Sequence, residues 1–158
     1  MVNNSSAAVP SSTPASVARP SRTPGIGRVL VVVYGILALA AAGRSVFQII
    51  DRFGEAPVAF SLSALSAVVY IVATVALVAP GAVWYRIALI TISFELAGVL
   101  IVGTITTFAP GLIGLADNDP FGRTSTVWSS YGLGYLLIPL VLPVLGLLYL
   151  RRRRPAAV

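Results

Sequence analysis

The stretch IALITISFELAGVLIVGTITTF, Ile87 to Phe108, decides how this chain is read. It holds one ionisable side chain, Glu95. As a helix rising 1.5 Å per residue it would cover about 33 Å, enough to cross the roughly 30 Å of hydrocarbon in a bilayer. Three more apolar runs of similar length lie outward of it: Val29 to Ile49, Val58 to Leu77 and Val127 to Leu150. Turn-forming residues separate them, at Asp51 through Pro57, at Ala79-Pro80-Gly81, and from Pro110-Gly111 to Arg123. The whole chain agrees. Of its 158 residues 57% are apolar and only 10% charged, with a mean hydropathy of +0.92, whereas soluble domains carry roughly 25% charged residues.

These observations predict an all-α membrane protein, an antiparallel four-helix transmembrane bundle over residues 26–154, because sequential spans joined by short loops pack side by side in opposite directions. Residues 1–25 are rich in Ser, Thr, Ala and Pro and contain no apolar run, so they are expected to form a disordered cytoplasmic tail; residues 155–158 form a short C-terminal tail. The leading stretch does not fit a signal peptide. Its basic residues come after some twenty neutral ones, and the apolar run that follows is as long as a span.

Arginine sets the orientation. All 11 basic residues are Arg; with both termini cytoplasmic they divide as Arg19, Arg22, Arg28, Arg86 and Arg151 to Arg154 inside, against Arg44, Arg52 and Arg123 outside. That excess of 8 over 3 on the cytoplasmic side is the usual bias of inner-membrane proteins. Trp84, Tyr85 and Tyr149 are expected in the inner interfacial belt, Trp128 and Tyr131 in the outer one. The tetrad Arg151, Arg152, Arg153, Arg154 directly follows a span, and its expected partner is the head groups of anionic lipids rather than nucleic acid.

Glu95 is the leading candidate for a special role. It lies nine positions after Arg86, about 13 Å into the hydrocarbon if Arg86 marks the inner interface. Hydrocarbon penalises a charged side chain at helix centre by roughly 2.5 to 3.5 kcal/mol, so such a group faces other helices and carries either a structural bond or a function. Counting from Pro80 puts Tyr70 at the same depth, and Ser63, Ser66, Tyr70 and Thr74 share one face of their helix. That face is expected to meet Thr91, Glu95 and Gly98. Arg44 lies about 24 Å above Arg28, where it either snorkels to the outer head groups or turns inward to Glu95 or Tyr135.

Other features read as architecture. Gly35, Ala38 and Ala42 form a small-residue ridge for close helix packing. Gly132, Tyr135, Pro139, Pro143 and Gly146 share a face of the fourth run, and Pro139 and Pro143 predict a kink near its middle. Asp117-Asn118-Asp119 reads as a solvated acidic turn. With no Cys or His there are no disulfides or thiol nucleophiles, and most metal chemistry is excluded. No metal or cofactor is expected. No catalytic set of nucleophile and base lies at credible depth, so the chain is not expected to be an enzyme.

Three segments carry a resemblance: Gly43-Arg44-Ser45 through Glu55-Ala56-Pro57; Ser93-Phe94-Glu95-Leu96 with Gly98 to Gly103; and Thr126-Val127-Trp128-Ser129 through Pro139-Leu140-Val141-Leu142-Pro143-Val144-Leu145-Gly146. Over roughly Arg28 to Arg153 the chain resembles small four-span actinobacterial integral membrane proteins of unassigned activity. The resemblance implies a multi-pass inner-membrane protein and no particular chemistry. Small multidrug exporters also have four spans and one membrane glutamate, but theirs is in the first helix. Two functions remain open, with a larger membrane complex or a homo-oligomer as the expected assembly: a non-catalytic accessory subunit that associates with a larger membrane complex, and a small proton- or cation-coupled carrier using Glu95.

Overall fold

The structure is a computed structural model that describes residues 25–109, 112 and 125–153; the N-terminal stretch, the Asp117–Asp119 turn, Arg123, Arg154 and residues 155–158 lie outside them. The described residues are helical throughout their regular elements, which are α1 (Gly25–Arg52), α2 (Pro57–Val78), α3 (Ala82–Phe108) and α4 (Ile138–Arg152). Short 3₁₀ turns at Phe53–Glu55 and Ser129–Tyr135 complete them.

Local chemistry explains the helix boundaries. Pro57 opens α2 at its first turn, where a missing N–H leaves nothing unsatisfied. Ala79, ahead of Pro80, leaves the helix with ψ 136° because the proline ring crowds the helical conformation of its predecessor. The same restriction ends α3 at Ala109, before Pro110. The 28, 22 and 27 residues of α1, α2 and α3 correspond to about 42, 33 and 40 Å of helix. All three are long and apolar enough to cross a membrane. α1 starts four residues before its expected limit and α3 five, drawing Arg28, Trp84, Tyr85 and Arg86 into helix.

The fourth run departs from expectation. A single helix over 127–150 with a kink in its middle is predicted, but the chain instead bends by 100° between Ser129–Tyr135 and Ile138–Arg152. Leu136 and Leu137 take left-handed backbone (φ 57° and 60°), as do Ser130 and Tyr131 before them (φ 47° and 60°). Each such residue costs about 1 to 2 kcal/mol outside glycine, so the surroundings must hold the shape. Pro139 sits in the first turn of α4, whereas Pro143 lies inside that helix without splitting it. The break therefore falls ahead of both prolines. α4 alone, at 15 residues, reaches about 22 Å.

The helices form a ring: α1 packs on α2 and α4, and α3 on the same two, with the bent segment laid against α3 and α4. The inside is small and aromatic, with Ala41, Ala67, Ala73 and Ala88 beside Tyr34, Tyr70 and Trp128. The outside is aliphatic: Leu39 is 78% exposed and Ile90 68%.

Candidate functional site

The centre of the ring is polar. From α1, the Tyr34 hydroxyl donates to Glu95 Oε2 of α3 at 2.7 Å, and both side chains are fully buried. α1 and α3 stand on opposite sides of the ring, so the bond crosses its diagonal. Small residues make that crossing possible. A side chain on Gly146 of α4 would meet Ile92 at 3.2 Å and the Tyr34 hydroxyl at 3.5 Å. Tyr70 of α2 packs its ring on Tyr34, centroids 6.3 Å apart.

Three atoms near this pair have no hydrogen-bond partner: Glu95 Oε1, Tyr70 Oη and Trp128 Nε1. The Trp128 indole lies close to the Tyr70 hydroxyl. Chemically the trio offers one carboxyl oxygen, one hydroxyl and one N–H donor. A donor-only indole beside a single carboxyl is a poor set for a metal ion, which needs converging oxygens.

Trp128 reaches this depth through the bend. Residues 126–131 turn inward and set the indole against Gly98, whose missing side chain leaves the room: a Cβ there would lie 2.9 Å from the ring. Phe94 meets the indole edge-on, centroids 6.3 Å apart and planes at 71°. Trp128 is only 1% exposed, so it is a core residue and not the outer-belt anchor expected from its place at the start of an apolar run. Tyr131 is half-buried, its hydroxyl 3.0 Å from Thr104 Oγ1.

A second polar cluster closes the ring above. Arg44 turns inward, donating to the Tyr135 hydroxyl at 2.8 Å and to the Ser125 carbonyl at 2.6 Å. Ser130 N–H donates to Thr106 Oγ1 at 2.8 Å, tying the left-handed turn to α3. Thr126 completes the clamp, its hydroxyl accepting from the Trp128 and Ser129 N–H groups. The strained backbone thus has partners on α1, on α3 and within itself.

Of the residues singled out in the sequence, the structure brings Arg44 and Tyr135 together and puts Tyr70 in the same core as Glu95 without bonding the two. Ser63, Ser66 and Tyr70 are buried, but Ser66 and Thr74 donate to carbonyls of their own helix, Ser63 and Tyr70. Ala38 is buried, while Gly35 and Ala42 are half-buried at the edge of the α1 face centred on Tyr34, Leu37, Ala41 and Ser45. Pro139 and Pro143 are both fully buried. Arg151, Arg152 and Arg153 are exposed at the end of α4. Two central residues escape a reading by depth and face: Tyr34, which reaches across the diagonal, and Trp128, which enters through the bend. Tyr34 carried one usable signal, a hydroxyl six residues after Arg28 and so within about 4 Å of the depth of Glu95.

Comparison of the chain with protein-family models, with curated proteins and with solved structures found no match in any of the three.

Proposed function

We propose that the chain is a multi-pass inner-membrane protein, an antiparallel four-span bundle with both termini cytoplasmic, and that it serves as a non-catalytic accessory or interaction subunit. The bent segment and α4 together count as the fourth span. The aliphatic outside around a small and polar inside supports the membrane setting, since lipid solvates Leu and Ile while close packing and interhelical bonds hold the helices together.

The observation that carries the subunit reading is the Tyr34–Glu95 bond. The carboxyl has a hydroxyl donor at 2.7 Å and no exposed surface, which is how a bundle fixes its diagonal rather than how a carrier presents a proton site to water. The test is purification of the intact protein from its native membrane in a mild detergent. A larger membrane protein recovered in fixed stoichiometry supports the subunit reading; a self-contained oligomer shifts the weight to transport.

The carrier reading has its own support in the unpartnered Glu95 Oε1, Tyr70 Oη and Trp128 Nε1. Glu95→Gln separates the two. Glutamine keeps an oxygen for Tyr34 but cannot titrate. If the role is structural, the variant assembles and works like wild type across about pH 5 to 8; if the group exchanges protons, it assembles but loses any pH-linked flux.

A further inference from the structure

At one end of the ring, the first turns of α1, the end of α2 and the last turn of α4 enclose an open groove of about 810 Å³. Arg28 enters from α1 and Arg153 from the end of α4. None of the residues lining the groove is acidic, and among the described residues the only ion pair joins Arg52 and Glu55, far along α1. Arg28 and Arg153 thus both line the groove, with no acidic side chain among the described residues that line it. The Arg153 guanidinium lies over the Tyr149 ring, 4.8 Å from its centroid, a cation–π contact that holds it on the groove. Gly27 makes the closure possible, since any side chain there would collide with the Tyr149 hydroxyl.

Away from the arginines the walls are aliphatic and open outward. Val32 on α1 is 58% exposed and Val78 on α2 is 65%. A soluble anion would use the charged end and leave this apolar trough empty. A phospholipid uses both, its phosphate at the guanidinium fork and an acyl chain along the valines. We propose that this groove seats one anionic phospholipid, its head group held by Arg28 and Arg153 and one chain lying along Val32 and Val78. The inference rests on the membrane reading above and makes it specific: a defined site rather than diffuse attraction to the arginine tetrad.

The experiment is native mass spectrometry of the detergent-purified full chain titrated with phosphatidylglycerol or with phosphatidylcholine of the same acyl chains. Wild type should retain one phosphatidylglycerol and bind it about tenfold more tightly than phosphatidylcholine. The pair Arg28→Gln with Arg153→Gln should lose that preference, while Arg52→Gln with Arg86→Gln, an equal change of charge outside the groove, should keep it. Val32→Trp fills the trough without touching charge and should weaken phosphatidylglycerol several-fold, and excess inorganic phosphate should not displace the lipid. Equal loss in the two arginine pairs, displacement by inorganic phosphate, or unchanged binding in Val32→Trp would each overturn the site. Circular dichroism confirms that each variant keeps its helix content. Resistance of the wild type to alkaline extraction from membranes tests the membrane reading separately, so a chain that stays embedded yet binds no lipid removes the groove alone.

Discussion

Replacing Tyr34 with phenylalanine removes one oxygen atom and leaves a carboxyl group buried without its donor. Because the group left behind is what makes such a loss expensive, Tyr34→Phe should destabilise the fold by about 1 to 3 kcal/mol. Tyr70→Phe removes an equally buried hydroxyl for which the geometry gives no hydrogen bond, and should cost less than Tyr34→Phe. Glu95→Gln, which keeps an acceptor for Tyr34, should fall between them at no more than about 1 kcal/mol. Reversible unfolding of the purified protein in mixed micelles measures all three; equal costs for the two tyrosines would mean that the diagonal bond does not hold the core. The burial of Glu95 was legible in the sequence, because one carboxyl in a long apolar run has few places open to it. Its partner was not. Depth arithmetic ranks residues by height along each helix, and heights alone favoured Tyr70 on the adjacent helix over Tyr34 across the ring.

At the scale of elements, the limits of α2 and the end of α3 follow from apolar length and from Pro57, Pro80 and Pro110, all visible in the sequence, whereas α1 and α3 begin ahead of their apolar runs. The bend at Leu136–Leu137 is different. Prolines at 139 and 143 announce a disturbance, but its position depends on Arg44, Thr106 and Gly98, which are remote in sequence and act only once the helices have packed. Gly98 gives the sharpest test of that dependence. Gly98→Val puts methyl groups where the Trp128 ring lies, so the indole must leave the core; overpacking of this kind costs about 1 to 3 kcal/mol. In a Trp84→Phe background, where Trp128 is the sole indole, its emission should shift to the red and become accessible to an aqueous quencher. An unchanged spectrum would place the indole elsewhere. Arg44→Met attacks the same element from above. It removes the guanidinium hydrogen bonds to the Tyr135 hydroxyl and the Ser125 carbonyl, and should make the chain near Ser125 cleavable by protease at conditions where wild type resists, with the α1–α3 core retained.

For the whole molecule the question is which way it faces. In the proposed orientation Arg44, Arg52 and Arg123 are the minority on the outer side, and two of them are engaged within the chain. Arg52 pairs with Glu55, three residues on, and Arg44 is folded inward onto Tyr135 and the Ser125 carbonyl. Arg28, Arg86, Arg151, Arg152 and Arg153, all on the side proposed to face the cytoplasm, are exposed, and the proposed orientation rests on the count of 8 against 3. A reporter active only in the cytoplasm should give signal when fused after Val158 or inserted in the turn at Pro80, and none when fused near Asn118 or in the turn at Gly54. The bend makes the Asn118 position the decisive one. If the segment 126–135 and α4 together cross the bilayer, Asn118 and Val158 must report opposite sides; if the bend were a re-entrant loop that returns to the side it came from, both would report the same side, and the chain would have three spans instead of four.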